Sequence, residues 1–501
     1  MLGRKSFLII STRMASQALS FISMMFITRF LGADLFGSVV WSMAFIGMFN
    51  AFADLGFSNA HIKRMSEGLD PDDCFSTYVS VRLALIGVTV VASLSALFLW
   101  TIVLNHRLVD STYMIVGLFV LYYVLFDLAS IAMTTFDARL RTAKSQLTYF
   151  ADPLLRVPFV IFVCLTRGTA EELAFAYVLG AIGIFSVGFI LLRNDGLKWK
   201  KPTLFKSYLS YAAPLALMSF IGTIWSYSDR FLLGFFGTKS DVGYYYGSLS
   251  VVTMMTVFSA AVATVGFPAF SQLLLDGKKD VVREKTMQAE RYSAFFVFPV
   301  AIILVLFPYA AAKIVLGSEF EAAGQSLWIL AVSYAIMIIN TAKYYQILAA
   351  NRPHTVLYVT LLTMGINFVL ILALVPGSIL GIKLAGLSFK GAAIASLAAN
   401  SVAFVIYQVL AWEISQSKVN HHLAIQAGAG VLVGAVLFFL NGYWPVSHIQ
   451  DLAAYGLMCL GLYLGVLYVI KELTKDDIRF FLDAANLRNF WKNFKEELRM
   501  K

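Results

Sequence analysis

The chain has 501 residues, of which 59% are hydrophobic and only 14% charged, and it carries a net charge of +10. Soluble domains hold about 25% charged and about 45–50% apolar residues, so a soluble globule of this composition would lack the polar side chains to cover its surface. That excludes soluble enzymes and leaves a polytopic membrane protein, whose lipid-facing helices need no polar exterior.

The chain opens MLGRKSFLII, basic and then apolar. The apolar run continues past signal-peptide length without a small-residue cleavage site and reads as an uncleaved first helix. A spanning helix needs about 20 predominantly apolar residues, and fourteen stretches qualify. They are Phe7–Phe30, Phe36–Phe57, Tyr78–Leu104, Tyr113–Phe136, Leu147–Thr166, Leu173–Leu192 and Tyr208–Phe236. After them come Tyr244–Phe270, Phe295–Leu316, Ser326–Ala349, Val356–Val375, Phe389–Trp412, Leu423–Leu440 and Leu452–Ile470. The fifth, with Pro153 and Pro158, and the ninth, with Pro299 and Pro308, hold two prolines each; membranes tolerate this where neighbours satisfy the freed carbonyls.

Basic residues orient the spans. With the amino terminus inside, Arg193, Lys198, Lys200, Lys201 and Lys206 share one inside loop, and Lys278, Lys279, Arg283, Lys285 and Arg291 another. Outside loops have only Arg107, Arg167, Lys239, Lys313, Lys383 and Lys390 in or beside them. This is the positive-inside pattern, with both termini cytoplasmic and the cell membrane as the location. The net charge therefore needs no nucleic-acid partner; it suits an anionic inner leaflet. Past Ile470 the chain mixes charges with Phe480, Phe481, Phe490, Trp491 and Phe494, the pattern of a helix lying on the inner membrane surface. Cys74, Cys164 and Cys459 are far apart, mostly in apolar runs, and read as packing residues.

An internal repeat divides the chain. Phe30–Gly37 reads FLGADLFG and Phe235–Gly243 reads FFGTKSDVG, each in a short outside loop between two long spans. Further on, Gly56-Phe57-Ser58 matches Gly266-Phe267-Pro268. Six spans separate the copies, an even number, so both halves share one orientation. The expected fold is an all-α membrane protein of about fourteen spans, with two parallel six-helix lobes and a site between them. The lobes are expected at 1–200 and 201–412, two extra spans at 413–471 and the cytoplasmic tail at 472–501.

The stretch TRFLGADLFGSVVWSMAFIGMFNAFADLGFSNAHIKR resembles the start of oligosaccharide and polysaccharide flippases of the Wzx type, and SYSDRFLLGFFGTKSDVGYYYGSLSVV resembles their seventh-to-eighth helix signature. The resemblance covers most of the first twelve spans. It implies membership of the superfamily that also holds multidrug and toxin extruders and lipid II flippases, with two lobes around a cavity and alternating access. The substrate it implies is a polyisoprenyl phosphate or diphosphate carrying a short glycan, with glycan-assembly machinery as a candidate partner.

Charges inside spans are the residue-level candidates, because one at a helix centre costs about 2.5–3.5 kcal/mol on insertion scales. Arg13 lies about 9 Å along the first span, six residues at 1.5 Å each. Arg82, Arg156 and Lys343 fall at comparable depth, so the four would form a basic ring facing the cytoplasm. Arginine offers paired donors to phosphate and stays charged when desolvated. Against this, Asp152 and Arg156 share a helix face and would neutralise each other, and Arg82 is near enough to its helix end to snorkel. Asp229 and Arg230 point about 100° apart as helix neighbours, so each is expected to find another partner, in an outer gate or a fixed ion pair. Asp127 and Asp54 are candidate coupling carboxylates for H+ or Na+; equally, each would balance a nearby arginine.

Tyr122-Tyr123, Tyr244–Tyr246 and Tyr344-Tyr345 suit sugar stacking or, more simply, interface belts. Gly428-x-Gly430-x-x-x-Gly434 has the small-residue spacing of close helix packing. No clustered acid pair, metal spacing or phosphate-binding glycine loop points to an enzyme, an ATPase or a cofactor beyond a coupling ion. The alternative is an ion-coupled exporter of drugs or small molecules on the same fold. Drugs favour an apolar chamber with an acid or two, whereas lipid diphosphates favour cations.

Overall fold

The computed structural model describes residues 2–102, 110–379, 381–474 and 477. The described residues are almost wholly helical. Spans one to three are α1 (Leu2–Phe30), α2 (Gly32–Phe49) with a 3-10 turn at Asn50–Phe52, and, after the short α3 (Phe57–Ser66), α4 (Pro71–Ile102). Then come α5 (Asp110–Ala138), α6 (Thr142–Leu165), α7 (Ala170–Arg193) and α8 (Phe205–Phe236). The eighth span is α9 (Lys239–Thr253) and α10 (Val257–Leu275), joined by a 3-10 turn at Met254–Thr256. Beyond it lie α11 (Lys279–Leu306), α12 (Pro308–Leu316), α13 (Gly324–Ala349), α14 (Pro353–Leu374), α15 (Ser388–Ser415), α16 (His421–Asn441) and α17 (Ile449–Val469). A two-residue hairpin, Ser378–Ile379 with Ile382–Lys383, lies between α14 and α15.

Among the described residues, twelve helices are long and apolar enough to cross a membrane. The other two of the fourteen expected spans are α1, 29 residues long, and the broken α9–α10 pair. The protein is an all-α, multi-pass membrane protein of about fourteen spans. The tail helix expected over 472–501 lies, apart from residues 472–474 and 477, outside the described residues.

The ninth span departs from its expected bounds. Apolar residues suggested Phe295–Leu316, but α11 runs Lys279–Leu306 and Pro308 opens a separate helix. Proline has no N–H to donate and fits the first helical turn, where none is needed. The charged stretch before Phe295, expected as a loop, is helical because partners satisfy its charges: Glu290 pairs with Lys343, and Arg291 with Glu472 and Asp477.

Two compact units emerge, dividing after Gly234. In the first, α7 packs on α5 and α6, and α1 packs on α6. A Cβ at Gly180 of α7 would collide with Asp152 and lie 3.1 Å from the Cβ of Arg156. That glycine lets α6 and α7 approach at the level of Arg156. The second span breaks where Gly56 adopts φ +80, a left-handed conformation natural to glycine; a Cβ there would come 2.9 Å from that of Leu215 on α8.

The linker ahead of α8 is fastened to the start of α4. Asp72 accepts from the Lys198 N–H at 3.1 Å, Ser76 Oγ from Lys200 N–H at 2.8 Å, and Asp73 from Thr203 N–H at 3.0 Å. Lys200 Nζ also reaches Asp70 at 2.6 Å and holds its carboxyl below the usual range.

In α3, His61 is fully buried. It stacks on Tyr78 at 4.2 Å, and its ring nitrogens meet Tyr208 Oη at 2.9 Å and Thr135 Oγ1 at 3.2 Å. Burial pushes its pKa from 6.5 down to about 3. A histidine depressed in the fold and ordinary when unfolded binds fewer protons in the native state, so stability falls as pH drops from about 6.5 toward 3. The expected slope is about 1.4 kcal/mol per pH unit for this group. Thermal unfolding at pH 7.5 and 5 should show the loss, and His61→Gln should flatten it.

In the second unit α13 is central, packed by α10, α11 and α15, with α14 on α15 and α16 and α17 on α11. Gly430 and Gly434 of α16 face Ile302 and Leu306 of α11, a close approach of the kind their spacing suits. The end of α17 is tied down by Glu472, which accepts from Arg291 Nε at 3.2 Å and meets His422 Nδ1 at 2.8 Å.

Candidate functional site

Three of the residues singled out in the sequence converge in the first unit. Arg82 of α4 is 2% exposed. Its guanidinium donates to Asp54 Oδ1 at 3.3 Å, Asp127 Oδ1 at 3.1 Å, Ser130 Oγ at 2.5 Å and the Ala53 carbonyl. Asp54 also accepts from the Ser58 N–H at 3.0 Å and the Gly56 N–H at 3.3 Å. Arg82 thus fills the break in the second span. It takes up the Ala53 carbonyl before the break, while Asp54 receives the N–H groups after it, satisfying backbone groups that a helix break leaves without partners. Both candidate coupling carboxylates are therefore partners of one arginine.

Arg156 of α6 pairs with Asp152 one turn earlier at 3.1 Å, donates to Ser20 of α1 at 3.2 Å and lies over the Tyr177 ring of α7 at 5.0 Å. Its side chain is 11% exposed. Arg13 lies seven residues before Ser20, two turns away on the same face of α1, and is exposed.

Lys343 of α13 belongs to the second unit. It is 1% exposed and forms an ion pair with the equally buried Glu290 of α11. Asn420 Nδ2 donates to Glu290 Oε2 at 3.2 Å. The Lys343 ammonium lies 4.6 Å from the centre of the Phe404 ring, and Phe404 lines an apolar cavity of about 1030 Å3. Helices α11, α13, α15 and α16 form its walls through residues such as Phe298, Ile302, Ile336, Val431 and Phe438. The buried cation is thus one aromatic ring away from a chamber lined almost entirely by hydrocarbon.

Of the four cations expected to form a ring, only Arg13 is exposed; Arg82, Arg156 and Lys343 are each held by a carboxylate. The expectation that Asp229 and Arg230 do not pair is overturned: Arg230 Nε lies 3.3 Å from Asp229 Oδ1. A hundred degrees separates the two side chains at the helix surface, but arginine is long enough to curl back. It also donates to the Ser226 carbonyl and lies over the Tyr227 ring at 5.3 Å.

Glu290 was not picked out in the sequence, because it reads as one more charge in a basic loop; only the position of Lys343 on α13 marks it as buried. Residues 2–274 match the profile of the polysaccharide biosynthesis protein family, more than half of the chain. The chain belongs to that family. The flippase resemblance carried by TRFLGADLFG and SYSDRFLLG is thereby supported, and both stretches, with Arg13, Arg82 and Arg156, fall inside the matched region.

Over 378 residues the chain is 26% identical to the probable low-salt glycan biosynthesis flippase Agl15 of Haloferax volcanii, covering 74% of this chain and 76% of that one. Among solved structures, the lipid II flippase MurJ in an inward closed conformation matches with a TM-score of 0.72 at 12% identity, covering 93% of this chain and 99% of that one. An inward-facing multidrug resistance MATE family transporter of the MOP superfamily matches with a TM-score of 0.62 at 14% identity, covering 80% and 96%. At such identities the structural matches establish the fold. The Lys343–Glu290 pair and its cavity lie beyond the family match.

Proposed function

We propose that the protein is a flippase that carries a polyisoprenyl phosphate- or diphosphate-linked oligosaccharide from the cytoplasmic to the outer leaflet by alternating access. The observation that carries this reading is the pairing of an apolar cavity of about 1030 Å3 with a buried ammonium behind one of its wall residues. A lipid-linked glycan has a hydrocarbon chain that needs such a wall and a phosphate that needs cations. Arg156 and Arg13, on neighbouring helices of the first unit, supply further cations. The similarity to a probable glycan biosynthesis flippase supports the same substrate class.

The positive-inside pattern supports a cytoplasmic-membrane protein with both termini inside. Coupling to H+ or Na+ would act through Asp127 or Asp54, and either carboxylate must first part from Arg82 to take up a cation. Asp229 and Arg230 would act as a gate only by exchanging their mutual contact for one across the transport path.

Reconstitution in liposomes with a polyisoprenyl-diphosphate oligosaccharide tests the reading. Transfer is followed by the glycan becoming accessible to an external glycosidase. The full chain should transfer it faster than protein-free liposomes. Arg156→Ala, which loses both the charge and the contact to Ser20, should lower the rate by roughly tenfold or more, the effect of a lost charged hydrogen bond. Transfer no faster than in protein-free liposomes, under imposed proton and sodium gradients alike, combined with export of an apolar cationic dye, would favour the drug-exporter reading instead.

A further inference from the structure

At one end of the first unit, the turn between α5 and α6 gathers more positive charge than it neutralises. Arg139, Arg141 and Lys144 all converge on Asp195, just past α7; Lys144 Nζ lies 2.6 Å from its Oδ1. The Asp195 side chain is sealed off completely, while Arg141 and Lys144 remain 40% and 30% exposed. Three cations on one carboxylate leave a surplus of two charges. Asp137, the other carboxylate of this corner, hydrogen-bonds Ser145 and interacts with Arg13.

Two independent features give this surplus a direction. Helix α6 starts at Arg141 with no side-chain cap and no acidic residue in its first turn, so its positive dipole end adds to the cations. Between the two arginines of the turn stands Leu140, 70% exposed, and Leu147 follows on α6 at 57%. An apolar side chain set between two cations at the end of a lipid-facing helix suits the boundary between headgroups and acyl chains.

We propose that this corner binds the phosphate of an anionic phospholipid headgroup. Arg141 and Lys144 grip the phosphate in competition with Asp195, and Leu140 and Leu147 rest against the acyl chains. The site is separate from the transported substrate and anchors the first unit to a charged leaflet. Arg139 stays with Asp195, whose carboxylate and backbone carbonyl both accept from its guanidinium.

The test is native mass spectrometry of the full chain in detergent with an equimolar mixture of phosphatidylglycerol and phosphatidylcholine. The wild type should retain phosphatidylglycerol preferentially. Arg141→Gln with Lys144→Gln, which leaves Arg139 on Asp195, should lower that preference by roughly tenfold while circular dichroism stays unchanged. Asp195→Asn removes the competing carboxylate, so its preference should be equal to or above that of the wild type. An unchanged preference in the double variant would overturn the proposal, as would its loss in Asp195→Asn with the helical signal intact. Displacement of the lipid by millimolar inorganic phosphate would also overturn it, marking a site for a free anion. None of these outcomes depends on flipping, so they are separable from the transport reading.

Discussion

Replacing Arg82 with alanine is expected to cost the first unit about 3–5 kcal/mol, the usual penalty for removing one partner from a buried ion cluster. Without the guanidinium, the Asp127 carboxylate is left in the interior, and the Ala53 carbonyl and Asp54 lose the group that bridges the break in the second span. Thermal unfolding in detergent should show a large drop in midpoint, and little folded protein should be recovered. Asp127→Asn should cost less, because Asp54 still neutralises Arg82 and asparagine keeps an oxygen for it. Combining Asp127→Asn with Arg82→Met should recover part of the arginine loss, since the buried Asp127 charge is then gone and only the more exposed Asp54 carboxylate is left without its cation. Transport separates the two readings of Asp127, a structural partner of Arg82 or a coupling carboxylate. A carboxylate that only balances Arg82 leaves Asp127→Asn with a rate still dependent on the imposed gradient. A coupling carboxylate leaves a folded protein whose rate no longer responds to it.

This cluster also shows what the sequence carried. The spans were legible because membrane insertion imposes a local rule: a helix must be apolar over about 20 residues whatever it packs against. Thus α5, α7 and α13 fall within a few residues of their expected bounds. The ninth span was misplaced at its far end because Pro308 opens a separate helix, and at its start because tertiary partners override that rule. Lys343, Glu472 and Asp477 make the polar start of α11 tolerable inside the fold. The repeat was only partly legible. Gly32 and Gly237 both stand at the joint between two spans, but Gly56 marks a helix break while Gly266 lies within α10, whose break comes earlier at Met254–Thr256. Pairing of charges was legible only in part: Asp54 and Asp127 were each expected to couple an ion or to balance a nearby arginine, while the neighbours Asp229 and Arg230 were expected not to pair. Asp152 and Arg156, four residues apart, met as their spacing allowed, whereas Arg82 with Asp54 and Asp127 depends on three helices meeting.

The second unit poses the same question more sharply. Lys343→Ala is expected to cost about 3–5 kcal/mol, because it leaves a Glu290 carboxylate that is 1% exposed with Asn420 as its remaining side-chain donor. Glu290→Gln strands the ammonium beside Phe404; a cation over an aromatic ring recovers only about 2 kcal/mol even when desolvated, less than the lost ion pair. Removing both charges together is different. Lys343→Met with Glu290→Leu fills the space with apolar side chains of similar length, and such replacements of buried pairs are often neutral or stabilising. The double variant should therefore unfold within about 1 kcal/mol of the wild type, with each single variant well below it. Its transport then decides what the pair is for. If Lys343 leaves Glu290 to hold a phosphate during the cycle, the stable double variant loses most of its glycan transfer. If the two charges only join α11 to α13, it transfers at the wild-type rate.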